Sequence, residues 1–74
     1  MYFVYVMKNK NDENLYIGYT NNIDRRVEEH QRKFPNSAPI YYEAYFYEQD
    51  ARARERKLKY YGSAWRALKK RISA

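Results

Sequence analysis

The sequence predicts an α/β (α+β) fold of order ββαβαα, a three-stranded antiparallel sheet flanked by helices, and three observations carry that expectation. Two runs rich in aromatic and β-branched residues lie close together near the N-terminus, joined by a short polar segment, as in an antiparallel hairpin. After Thr20 the apolar positions switch to helical spacing. The few glycines and prolines fall near the ends of the elements, and no repeat or low-complexity tract interrupts them, so residues 1–74 are expected to form a single domain.

Tyr2 to Lys8 (YFVYVMK) is uncharged until its end and reads as a strand with both faces at least partly covered. The polar segment Asn9 to Asn14 makes the turn. Leu15 to Tyr19 (LYIGY) is the second strand, with Tyr16 and Gly18 on one face. Asn21 is the expected N-cap of the first helix, Asp24 lies in its first turn, and Ile23, Val27 and His30 recur at i, i+4 and i+7. That helix should fade near Phe34, because Pro35, Asn36, Ser37 and Pro39 form a loop. Ile40 to Tyr47 is the third strand. Asp50 is placed to cap a second helix, Ala51 to Tyr61, which Gly62 ends in the C′ position. Ser63 then opens a third, with Trp65, Leu68 and Ile72 as its core stripe.

A chain of 74 residues builds one small core. With no cysteine it has neither disulfides nor thiolate metal sites, which suits a reducing cytoplasm. The longest apolar run, Tyr2 to Met7, is too short to span a bilayer and no signal-like segment precedes it, so a soluble cytoplasmic protein with no membrane partner is expected. The formal net charge is +6, unevenly spread: residues 1–50 hold six basic and eight acidic side chains, residues 51–74 nine basic ones and a single acid, Glu55. Such a basic end attracts polyanions, nucleic acid foremost, and ten tyrosines add stacking surface. The same charge also serves simply to keep an aromatic-rich domain in solution.

Tyr16-Ile17-Gly18 reads YIG, and eleven residues before Tyr16 the triplet Phe3-Val4-Tyr5 ends in tyrosine. The run YIGYTNNIDRRVEEH places Arg26 and His30 on the helix after the second strand, and RERKLK places Glu55 on the helix after the third. In this joint pattern, which covers nearly the whole chain, the sequence resembles the GIY-YIG endonuclease superfamily, especially its small stand-alone members. The resemblance implies a GIY-YIG-like fold and a hydrolase acting on ester bonds, a metal-dependent endonuclease cutting phosphodiester bonds in nucleic acid, DNA foremost, by a one-metal mechanism. It implies Tyr5, Tyr16, Arg26 and His30 as catalytic residues, Glu55 as the ligand of Mg²⁺ or Mn²⁺, and Gly18 as a motif residue. The pattern departs at Phe3, where the family name has glycine, and after Asn36, beyond which no asparagine follows. Larger relatives carry an added domain that chooses the target; here specificity falls to the small domain, a protein partner or a homo-oligomer.

The spacing has a physical meaning of its own. Arg26 and His30 are i and i+4, one turn apart beside the apolar Ile23 and Val27. Glu55 has Ala51 and Leu58 on its core side and Arg52 and Lys59 on the other, a boundary where a carboxylate binds a hard cation while water and phosphate oxygens complete the shell. The roles that the resemblance implies are Arg26 forking onto the scissile phosphate, Tyr5 assisting by hydrogen bonding, Tyr16 orienting or deprotonating the water, and His30 relaying the proton or donating to phosphate. A phenol titrates near ~10, so Tyr16 acts as a base only beside positive charge. Arg52, Arg56 and Lys59 with Arg66, Lys69 and Lys70 are the candidate nucleic-acid-binding residues, and Tyr41, Tyr45 and Tyr47 candidate stacking surfaces for unpaired bases. Each residue has an ordinary explanation too: strand tyrosines packing a sheet face, Arg26 paired with Glu29, Glu55 with Arg52 or Lys59, His30 as a hydrogen-bonded packing residue. Two further function classes stay open, an inactive nucleic-acid-binding module of the same fold and a small protein-interaction domain.

Overall fold

The computed structural model describes residues 1–73, with β1 (Tyr2–Asn9), β2 (Leu15–Thr20), α1 (Ile23–Lys33), β3 (Ser37–Tyr45), α2 (Glu48–Tyr60) and α3 (Gly62–Arg71) in chain order. The order ββαβαα and the antiparallel three-stranded sheet are those the sequence predicts. β1 takes the centre of the sheet, β2-β1-β3, as its lack of charge requires: Val4, Tyr5, Val6 and Met7 are each at most 1% exposed. A register irregularity between Val6 and Met7 lets Ile40 stand unpaired opposite β1.

Antiparallel partners share a face, so the pairings Tyr5↔Gly18, Met7↔Tyr16 and Phe3↔Thr20 divide the sheet cleanly. On one side Val4 and Val6 pack with Ala51 and Leu58 of α2 and Leu68 of α3, edged by Ile17, Tyr41, Tyr45, Trp65 and Ile72. This is the main core, and the predicted Trp65, Leu68 and Ile72 stripe belongs to it. On the other side Tyr5 and Met7 are covered by α1, whose Ile23 and Val27 border a groove beside Tyr5 and Tyr42. None of the residues of α1 is itself buried.

Local details differ from expectation for identifiable reasons. The N-cap of α1 is Asn22, not Asn21: its side-chain oxygen accepts from the Arg25 backbone N–H at 3.2 Å, while Thr20 Oγ1 takes the Asn22 N–H at 3.0 Å. β3 begins at Ser37 rather than Ile40, because an edge strand admits Pro39 despite its missing donor. α2 begins at Glu48, leaving Asp50 in its first turn instead of at its cap. Gly62 is the first residue of α3 and has no positive φ; α2 ends on Tyr61, whose N–H reaches the Lys57 carbonyl. The β1–β2 turn is held by Asn9 and Asp12, whose Oδ1 atoms accept from the N–H groups of Asn11 (2.9 Å) and Asn14 (3.0 Å). Glu13 in this turn has φ +59°, the left-handed region. No helix among the described residues is long and apolar enough to cross a membrane.

Candidate active site

Four of the five residues singled out for chemistry meet on the α1 side of the sheet. Tyr5 rises from the central strand and is 0% exposed. Directly across the ladder, Gly18 leaves the space its ring occupies: a Cβ at Gly18 would overlap Cζ and Oη of Tyr5 and lie 2.7 Å from Cε1. Gly18 is therefore demanded by the tyrosine beside it, with no bulge at that position; neither a facing helix nor an approaching phosphate is needed to explain it. The ring so placed accepts a hydrogen bond at Oη from Arg26 Nε at 3.3 Å.

Tyr16, two residues before Gly18 on the same face, is 42% exposed at the free edge of β2. Its ring lies 6.2 Å from that of Tyr5 and 4.8 Å from that of His30, and His30 lies 5.0 Å from Phe34, giving a row of four rings. Tyr16, Arg26 and His30 line an open cleft of about 210 Å³ together with Glu29, Lys33 and Phe34. Glu29, Lys33 and Phe34 were missed in the sequence, although Glu29 and Lys33 stand at i+3 and i+7 from Arg26 on the same helix flank. Arg26 Nη1 pairs with Glu29 at 3.2 Å, the ordinary helix contact, while its Nε serves Tyr5. The two uses coexist because a guanidinium has five donors.

The electrostatics sort these groups. Burial pushes the Tyr5 phenol above its ordinary value of 10.0, and the Arg26 contact only partly offsets this, so Tyr5 is a neutral hydrogen-bonding group at neutral pH. Contact with the two tyrosine hydroxyls, Tyr5 first, holds the Arg26 guanidinium firmly charged. His30 is held below its ordinary 6.5, by burial first and then by the charges of Arg26 and Lys33, so it is neutral and proton-accepting at neutral pH.

Glu55 is not part of this cluster. It comes from α2 on the opposite face of the sheet, its side chain is 21% exposed, and its ion-pair partner is Lys59 at 3.2 Å. Among the described residues it makes no hydrogen bond or ion pair with Tyr5, Tyr16, Arg26 or His30. Its expected position on the helix is nonetheless as read from the spacing, with Ala51 (0%) and Leu58 (2%) buried on its inner side. The link between the faces is Tyr16, which also lines a separate hollow on the α2 side with Leu58 and Lys59. Arg26 and Glu55 thus lie on opposite sides of the sheet, with Tyr16 at the β2 edge between them.

The donor set is informative about metal. No group of three or more His, Cys, Asp or Glu among the described residues forms a cage. A lone, partly shielded carboxylate fits an oxygen-preferring ion that keeps water and takes phosphate oxygens, as Mg²⁺ or Mn²⁺ does, and does not fit a four-ligand zinc site.

Of the basic residues, Arg52 lies over the Tyr19 ring at 4.4 Å and pairs with Glu48, Lys59 pairs with Glu55, and Lys69 lies over Trp65 at 5.5 Å. Arg56, Arg66 and Lys70 are exposed and have no ion-pair partner among the described residues. Tyr41 and Tyr45 are not the open stacking surfaces expected of them. Both donate to Glu43, which also receives a bidentate Arg54, Nε to Oε1 and Nη2 to Oε2, each at 3.0 Å. Those hydrogen bonds overcome burial and hold the Glu43 carboxyl below its usual range, and burial and Glu43 push Tyr45 up to about 12. Tyr47 does remain exposed, at 59%.

The family model described as the GIY-YIG catalytic domain matches residues 1–60. No curated protein and no solved structure matches the chain.

Proposed function

This chain belongs to the GIY-YIG family, a family of nucleases that act on nucleic acid and generally depend on a divalent metal, and from that premise we propose that it is an active endonuclease hydrolysing phosphodiester bonds, with DNA as its foremost substrate. The observation that carries this reading is the convergence of Arg26, Tyr16 and His30 on one open cleft, with the buried Tyr5 hydroxyl holding Arg26. Hydrolysis needs an activated water, a cation on the phosphoryl oxygens and relief of charge on the leaving oxygen.

Arg26 binds the scissile phosphate through Nη atoms while Tyr5, which stays protonated, fixes Nε and so the plane of the fork. Tyr16 and His30 share the water. Water oxygen bonds to phosphorus as the ester oxygen leaves, and the water's proton passes to neutral His30, directly or through the Tyr16 hydroxyl. Of the two, His30 is the terminal acceptor, because its environment keeps it unprotonated. Glu55 would hold the divalent ion, which when bound would supply charge neutralisation to the reacting phosphate. Arg56, Arg66 and Lys70, with no ion-pair partner among the described residues, and Arg52, Lys59 and Lys69, which phosphate draws from their present contacts, follow the backbone. The reading takes residues 1–74 as a single domain acting in the cytoplasm, with target choice left to that domain, a partner or a homo-oligomer.

The test incubates purified protein with single- and double-stranded DNA and RNA, with Mg²⁺, Mn²⁺ or chelator, beside Arg26→Ala and Glu55→Ala. Cleavage that requires metal and is lost in both variants is expected. Cleavage insensitive to either change points to contamination, and binding without cleavage on every substrate sinks the enzyme reading in favour of an inactive binding module.

A further inference from the structure

Beside the catalytic cleft lies a second hollow of about 250 Å³, and the two share Tyr16, His30 and Phe34 as a common wall. Phe34 is the outermost ring of the aromatic row and is 50% exposed, held in place just beyond α1 by its N–H to the His30 carbonyl at 2.9 Å. The opposite wall is the β1–β2 turn, with Asn9, Asp12 and Asn14. That turn is braced by backbone bonds Asn9 N–H to Asn14 O and Glu13 N–H to Asn9 O, both 2.9 Å, and by the Oδ1 atoms of Asn9 and Asp12. The bracing leaves the Asn14 side-chain amide and the second carboxylate oxygen of Asp12 without a hydrogen-bond partner among the described residues.

We propose that this hollow is a subsite for an unpaired nucleobase, the base of a nucleotide adjoining the phosphate held at Arg26, stacked on Phe34 and read along its edge by Asn14 and Asp12. The proposal rests on the nuclease reading and adds the kind of substrate. Three features select this occupant. The shared wall puts the second hollow within one nucleotide of the first. Charge differs between them: in the first, Arg26 and Lys33 outweigh Glu29, whereas the second has the carboxylate Asp12 and no lysine or arginine in its lining, so it repels a phosphate and accepts from an exocyclic amine. An exposed aromatic face offers stacking to any base, and an amide supplies both donor and acceptor for a base edge. A base inside a duplex has both faces covered, so the occupant is single-stranded or turned out of the helix.

The experiment measures binding by fluorescence anisotropy in chelator, so that cleavage plays no part. The probes are a labelled single-stranded oligodeoxynucleotide, the same backbone with every base replaced by hydrogen, and the corresponding duplex. Wild-type protein is expected to prefer the intact strand to its abasic counterpart by about tenfold or more, the loss expected when a base loses its stacking partner. Phe34→Ala removes most of that preference by weakening the intact strand alone, Phe34→Trp restores it, and Arg26→Ala weakens both strands. If Phe34→Ala weakens both strands equally or neither, or the duplex binds as tightly as the single strand, the base subsite is refuted while the nuclease reading stands on Arg26. If wild-type protein binds none of the probes, both fail.

Discussion

Gly18→Ala probes the contact that seats Tyr5 behind the candidate cleft. Ordinarily this change in a strand relieves the chain of backbone freedom and gains ~0.5–1 kcal/mol. Here the new methyl falls on the buried ring of Tyr5, overlapping Cζ and Oη and coming within 2.7 Å of Cε1. The ring has two torsions, is 0% exposed, and is covered by α1, so it moves only by displacing its neighbours. Overpacking of this kind costs ~1–3 kcal/mol. Net destabilisation of roughly 1–2 kcal/mol follows, a fall in melting temperature of about 4–8 °C per kcal/mol for a domain of this size. The assay is urea and thermal unfolding followed by circular dichroism, with partners at Tyr5. Tyr5→Phe keeps two of the three overlapping atoms and should rescue little; Tyr5→Leu removes the ring tip and should make Gly18→Ala almost neutral, a coupling of about 1 kcal/mol or more. Activity of folded Gly18→Ala should fall as well, since a displaced Tyr5 Oη loses Arg26 Nε. A Gly18→Ala protein as stable as wild type, with no coupling to Tyr5→Leu, would show that the ring has room and refute the argument.

Other expectations follow from the same structure. Glu43→Gln should cost about 1.5–3 kcal/mol by chemical unfolding, toward the lower end because Arg54 is about a quarter exposed, since it strips a charge from a carboxylate serving Arg54, Tyr41 and Tyr45. Because the folded carboxyl titrates below its usual 4.5, its contribution is present above that value and lost as pH falls, so the wild-type advantage over Glu43→Gln should shrink in acid. If cleavage requires neutral His30, the acid limb of its pH profile should have a midpoint below 6.5 and move upward in Lys33→Gln, which removes a nearby positive charge; a limb indifferent to Lys33 would remove His30 from the role. Glu13→Gly should be neutral or stabilising by up to about 1 kcal/mol in the same unfolding assay, because Glu13 holds φ +59° and its contact with Lys8 is a loose 3.9 Å.

The sequence carried the fold well, since strand and helix periods follow directly from which face is buried. It also placed Arg26 and His30 correctly, because one helix turn fixes their spacing whatever surrounds the helix. The cap of α1 slipped by one residue because Asn21 and Asn22 are chemically equal candidates and only the course of the chain after Thr20 chooses between them. Pro39 hid the start of β3, since a strand's edge position is a tertiary fact. Tyr41 and Tyr45 were misread because their hydroxyl partner, Glu43, is decided by Arg54 arriving from α2, which no local pattern announces. Gly18 is the clearest case: its reason sits thirteen residues away, on the neighbouring strand.

The helix that presents Arg26 and His30 has no buried residue of its own, whereas the strand and helices behind it supply the core. The main core and the Arg26–His30 cluster thereby lie on opposite sides of one sheet, with Glu55 alone of the five residues singled out for chemistry on the core side. Amide hydrogens of α1 should exchange by local opening well before those of β1, whose release requires the whole domain to come apart. As an outer helix without a buried residue, α1 is the wall of the cleft with most freedom to move, while Tyr5 on the central strand stays fixed.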